Sequence, residues 1–150
     1  MDKLSDLYFK ELKGFWGEIV EILSLAVILA IIGRIFLCAP YVISSRSMSP
    51  ILQPGDKVLV NKLFYRFEEP DRGDIVVFKF PFDERINYIK RIIALPGEII
   101  EGKENRIYIN GQILKEKYLP QGMKFDDFGP VRMEAGEYFV LGDNRPDSQD

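Results

Sequence analysis

The sequence predicts a mainly β protein, an antiparallel sheet domain carried behind one N-terminal transmembrane helix. Three observations predict it. The stretch 22–45 carries a single charged residue, Arg34, in a chain of 150 residues that holds 20 Lys and Arg and 23 Asp and Glu in all. From Gln53 onward, short runs rich in Ile, Val, Phe and Tyr are separated by Pro-Gly, Arg-Gly, Asn-Gly and Ala-Gly turn signals. No helix-sized pattern intervenes between those runs, so a parallel βαβ sheet is not expected. The length allows little more than one such domain beside the anchor.

Residues 1–18 interleave Leu4, Leu7, Tyr8, Leu12, Phe15 and Trp16 with Asp2, Lys3, Asp6, Lys10, Glu11 and Lys13. That spacing is close to the rhythm of an amphipathic helix, expected at a membrane surface, and Trp16 suits the headgroup region. Residues 19–42 are the expected anchor, since roughly 20 apolar residues cross the hydrocarbon core. Arg34 belongs toward the outer end, where its long side chain can snorkel to the interface. Lys3, Lys10 and Lys13 before the span are matched by Arg46, Lys57 and Lys62 after it, so the positive-inside count ties. The remainder, 43–150, is expected to form the β domain, with strands at 57–60, 74–80, 86–94, 98–101, 106–109 and 137–141. Asn110-Gly111, between Ile-Tyr-Ile and Gln-Ile-Leu, is the strongest hairpin signal, because the favoured two-residue turn needs positive φ at both central positions.

Composition excludes several chemistries. The chain has no His, so neither a Ser-His-Asp triad nor a His-containing metal site can be built. Its one Cys, Cys38, allows no internal disulfide and reads as a small apolar residue of the anchor. The net charge of -3 with mixed signs argues against nucleic acid as a partner, and Lys57, Lys62 and Arg66 read as solvated positions.

The Ser-rich stretch Ser44-Ser45-Arg46-Ser47-Met48-Ser49-Pro50 follows the apolar run. A serine is a poor nucleophile without a base, and with no His the base must be a neutral lysine or a carboxylate. At the ordinary lysine pKa of about 10.4, only about one lysine in a few thousand is neutral at pH 7, and neutralising it costs roughly 4 to 5 kcal/mol. Burial can shift a lysine by up to about 3 to 5 units, so an apolar strand is the setting such a base needs. Tyr88-Ile89-Lys90-Arg91-Ile92-Ile93 is such a strand, with Tyr88, Lys90 and Ile92 on one face and Ile89, Arg91 and Ile93 on the other. Taken alone, Lys90 and Arg91 would read as ordinary strand charges.

The combination is more specific than any part. Ser45-Arg46-Ser47-Met48-Ser49-Pro50, Arg72-Gly73-Asp74-Ile75-Val76-Val77-Phe78, Tyr88-Ile89-Lys90-Arg91-Ile92-Ile93-Ala94-Leu95-Pro96-Gly97-Glu98 and Gly142-Asp143-Asn144-Arg145-Pro146-Asp147-Ser148-Gln149-Asp150 occur in this order behind a membrane span. This resembles the bacterial type I signal peptidases, membrane-bound serine proteases that remove signal peptides from exported proteins. The likeness runs from about Arg34 to the last residue. The resemblance implies a β catalytic domain of the signal-peptidase type, with Ser47 as nucleophile and Lys90 as general base. It implies that Ser45 donates to the oxyanion together with the Ser47 N–H, that Ser148 orients the lysine, and that Asp143 and Asp150 support the site. Tyr41, Ile43, Met48, Leu52, Val77 and Ile89 fall where the family lines shallow pockets for small side chains three residues and one residue before the cut. It implies exported preproteins and the lipid bilayer as partners, no cofactor and no metal. It also implies a single-pass protein of the cytoplasmic membrane with its catalytic domain outside the cytoplasm, which resolves the charge tie.

The sequence departs from the family pattern in three places. Ser44 and Arg46 flank Ser45 where Pro and a small residue are usual, and Ile51 stands where Thr is usual. The last motif normally continues with Ser-Arg, whose Arg pairs with the aspartate matched by Asp150; the expectation is either a chain truncated within that motif or a site that lacks one brace. Two other readings compete. One is the self-cleaving repressor type of Ser/Lys protease, which shares a Ser-Met nucleophile. The other is a non-catalytic single-pass membrane protein whose β domain binds peptides.

Overall fold

The computed structural model describes residues 2–120 and 122–148, with side chains from residue 14 onward except 35 and 36. Backbone contacts divide the chain into two units, 1–39 with 61–64, and 40–60 with 65–150.

The first unit is built on one helix, α1 (Asp2–Phe36). The segments expected at 1–18 and 19–42 thus begin as one uninterrupted helix; the side chains that carry the amphipathic pattern of 1–13 lie outside the described residues. Within α1, Gly14–Arg34 is long and apolar enough to cross a membrane, and none of it is buried in the protein. Ile22, Leu25, Val27 and Leu29 are all exposed. Leaving such a surface in water forfeits about 25 cal/mol for each Å² of apolar area, which a lipid phase recovers. Arg34 occupies the last turn of α1. The helix ends sooner than the expected anchor: Cys38–Val42 form a strand, so Cys38 is a half-buried strand residue and not part of the apolar helix. Pro40, which cannot donate to a helical ladder, marks the change.

That strand, β1 (Cys38–Val42), pairs with β2 (Lys57–Asn61) in a two-stranded sheet. The second sheet runs in the order β3 (Ile75–Phe80), β4 (Asp83–Ala94), β9 (Phe139–Leu141), all antiparallel. The third orders β7 (Gln112–Ile113), β6 (Arg106–Ile109), β5 (Ile99–Lys103) and β8 (Phe128–Arg132), also antiparallel. The molecule is therefore mainly antiparallel β with one N-terminal apolar helix. The β6–β7 turn forms where expected: Asn110 and Gly111 take φ of 51° and 79°, and Ile109 pairs with Gln112 across them. β8 was not expected, because Gly129-Pro130 reads as a break. It pairs with β5 at the end of its sheet, and an edge strand is where a missing N–H does no harm.

Two apolar clusters hold the β unit together. Ile93, Ala94, Ile100, Ile107, Ile109, Met133 and Leu141 form the larger. Ile43, Met48 and Ile89 form the smaller, with Tyr41, Leu52, Val58 and Val77 packed against it. Each fully buried Ile or Met contributes on the order of 1.5 to 3 kcal/mol. β4 belongs to both: from Ile89 to Ala94 it is buried on both faces, so it is the rigid element from which a site can be built.

Candidate active site

β4 lies between β3 and β9, with Lys90 paired to Val76 and Arg91 to Leu141. Strand alternation sends these two consecutive cations to opposite faces. Lys90, only 3% exposed, donates from its amine to the Ser148 hydroxyl. Arg91 donates from Nε and Nη2 to the two carboxylate oxygens of Asp143, at 2.8 and 2.6 Å, and from Nη1 to the Gly73 carbonyl at 2.7 Å. By accepting these hydrogen bonds Asp143 holds the guanidinium's pKa above its ordinary value, against the opposing effect of burial. Neither cation is an ordinary solvated strand charge.

Ser47 sits in the turn after β1, 7% exposed. The turn is closed by Ser49 N–H donating to the Arg46 carbonyl at 3.0 Å and Leu52 N–H to Met48 at 3.0 Å, with Met48 fully buried beneath. Ser45 and Ser47 hydroxyls are hydrogen-bonded at 3.1 Å. The segment after β9 fastens onto this turn: Asn144 N–H donates to the Ser47 carbonyl at 2.8 Å, and its side-chain amide to Arg46 O at 3.1 Å. A single 3-10 turn, Arg145–Asp147, then delivers Ser148.

Ser45, Ser47, Lys90 and Ser148 all line one cavity of about 530 Å³, together with Tyr41 and Ile89. The structure thus brings together four of the expected polar residues. Asp143 is fully buried on the Arg91 face of β4, paired with Arg91. Asp150 lies outside the described residues. Of the expected pocket residues, Tyr41 and Ile89 line the cavity and also belong to the smaller cluster, in which Ile43 and Met48 are buried with Leu52 and Val77 packed against them. Ser44, Ile86, Asn87, Tyr88, Pro146 and Asp147 also line the cavity and were not singled out. Tyr88 was legible, since it shares a strand face with Lys90; the others enter through turns whose direction no periodicity records. Among the described residues no group of three or more Cys, Asp or Glu stands close enough to hold a metal ion.

Comparison with known proteins gives this geometry its context. Residues 16–150 match the family described as signal peptidase, peptidase S26. The chain is 41% identical over 145 residues to signal peptidase I S of Bacillus subtilis, covering 90% of this chain and 76% of that one. It is 40% identical over 144 residues to signal peptidase I T of the same organism, covering 90% and 72%. A crystal structure of a signal peptidase I from Enterococcus faecalis is 35% identical, with a TM-score of 0.48 over 55% of this chain and 84% of that one. The class is that of a membrane-anchored serine peptidase, a hydrolase. Within that class, the chain belongs to the signal peptidase family S26, whose members cleave signal peptides.

Proposed function

We propose that Ser47 is the nucleophile and Lys90 the general base of a Ser/Lys dyad that cleaves signal peptides from exported preproteins. The observation that carries this reading is the placement of the buried Lys90 amine, held by Ser148, on the cavity that also holds the Ser45–Ser47 hydroxyl pair. Unprotonated Lys90 takes the Ser47 proton as the hydroxyl attacks the scissile carbonyl. The oxyanion is received by the Ser45 hydroxyl and the Ser47 N–H, donors aimed at charge that develops only in the transition state. The lysine then gives its proton to the leaving amine, and water activated by the same amine releases the acyl group from Ser47. Ser148 keeps the amine in place through the cycle, and Asp143 and Asp150 support the site. Tyr41 and Ile89 contact the small side chains preceding the cut, with Ile43, Met48, Leu52 and Val77 shaping the wall behind them. The catalytic domain, 43–150, works outside the cytoplasm on a single-pass anchor in the cytoplasmic membrane. No cofactor, metal or nucleic acid takes part.

The test is cleavage of a preprotein peptide bearing Ala three residues and one residue before the cut. Wild-type protein in detergent cleaves it, and Ser47→Ala and Lys90→Ala each abolish cleavage with the fold retained. Cleavage by either variant at the wild-type rate overturns the reading.

A further inference from the structure

One short segment brings Ser148 to the cavity and Asn144 to the turn that carries Ser47, and that segment is held by a part of the chain outside the four motifs. Arg145, its side chain 2% exposed, donates from Nε to the Gly142 carbonyl at 3.0 Å and from Nη2 to Glu116, whose side chain is 8% exposed. Glu116 lies between β7 and β8, in the connection of the other sheet. The same Glu116 oxygen accepts the Tyr118 hydroxyl at 2.6 Å. Tyr118 in turn lays its ring against the Arg91 guanidinium, 4.1 Å from the ring centre, and Arg91 grips Asp143. Glu116 therefore joins two anchors of the segment 142–148, one through Arg145 and one through Tyr118 and Arg91. Burial and the bond to Glu116 push the Tyr118 hydroxyl well above its ordinary acidity range, so it stays a donor.

We infer that Glu116 is a positioning residue for the hydrolytic reaction: by fixing Arg145 it holds the 142–148 segment at the height that presents Ser148 to Lys90 and the Asn144 N–H to the Ser47 carbonyl. This rests on the roles proposed above for Ser47 and Lys90. The buried pair is more than ordinary stabilisation, because its two ends lie in segments that leave different sheets and one end is three residues from Ser148. A buried ion pair adds little net stability over a neutral replacement, whereas loss of one partner leaves an uncompensated charge. Position and stability can therefore be separated by experiment.

The experiment uses the full chain in detergent micelles and the preprotein peptide, with kcat expressed per folded molecule from circular dichroism melts. Glu116→Gln lowers kcat about tenfold or more, with KM held within about twofold, because a small misplacement of catalytic groups costs rate before it costs binding. Glu116→Asp, which keeps the charge at shorter reach, restores part of the loss. The variant Glu116→Gln with Arg145→Met removes the stranded charge, so it folds with a melting temperature near that of wild type, yet kcat stays low because the Gly142 brace is gone. A merely structural role predicts the opposite, recovery of kcat together with stability, and that result overturns the inference. So does wild-type kcat in folded Glu116→Gln. Lys90→Ala, run beside these, separates the two layers: full cleavage there sinks the dyad itself, while a dead Lys90→Ala beside a fully active Glu116→Gln sinks only the positioning role.

Discussion

Arg91 and Asp143 meet through two parallel hydrogen bonds, Nε to Oδ1 and Nη2 to Oδ2, with both side chains buried. This fork ties the middle strand of the second sheet to the segment that carries Ser148. Removing one partner leaves a buried guanidinium without its counter-charge, which costs on the order of 3 to 5 kcal/mol. Asp143→Ala therefore lowers the urea midpoint of unfolding and, in the molecules that remain folded, lowers cleavage. A stability change below about 1 kcal/mol, the range of an exposed ion pair, contradicts this.

Gly142 is a glycine because of a close approach. A Cβ there stands 2.5 Å from the Ser47 carbonyl oxygen and 2.7 Å from the Ser148 Cβ, and it collides with the Ser148 hydroxyl. Both neighbours belong to the site, so relief of the clash must move a residue of the site. Gly142→Ala is expected to cost about 1 to 3 kcal/mol of stability through overpacking and to reduce kcat more than tenfold, on the order expected of misplaced catalytic groups. Steady-state kinetics and a thermal melt on the same sample check it; unchanged kcat contradicts it.

Glu98 gives the fold an acid-side dependence. Burial raises its pKa, but hydrogen bonds from Arg72 and from the Leu95 N–H, the latter at 2.7 Å, outweigh that and hold the carboxyl below its ordinary value. A carboxylate with a lowered folded pKa contributes stability that is present above its unfolded pKa and lost as pH falls through the folded one. Glu98→Gln is therefore less stable than wild type at pH 7, and the two melting temperatures converge as pH is lowered below the carboxylate range. A gap that stays constant with pH contradicts the assignment.

The sequence made the candidate site legible and left its support obscure. Ser47 and Lys90 are singled out by the ordered motifs that resemble the signal peptidases; the residues by themselves only limit the base to a lysine or a carboxylate and mark Tyr88–Ile93 as an apolar strand. The Asn110-Gly111 hairpin was readable since its turn geometry demands those residue types. β1 was not, because Cys38, Ala39, Tyr41 and Val42 continue the apolar composition of α1 and only Pro40 hints at a change. β8 was hidden by Gly129-Pro130, a pair that a central strand rejects and an edge strand accepts. Glu116 and Tyr118 gave no signal at all, since their partners Arg145 and Arg91 lie 29 and 27 positions away and pair through tertiary contact alone. Ile43 and Met48 show the reverse: expected at substrate pockets, they are buried in the cluster under the turn that carries Ser47.

The roles of Ser47 and Lys90 meet in one measurement. Wild-type protein is quenched with acid during turnover of the preprotein peptide, digested, and its fragments weighed by mass spectrometry. The signal-peptide acyl group is predicted on Ser47, and no acylated fragment is predicted from Lys90→Ala treated in the same way. An acyl group on any other residue, or undiminished acylation of Ser47 in Lys90→Ala, contradicts the dyad.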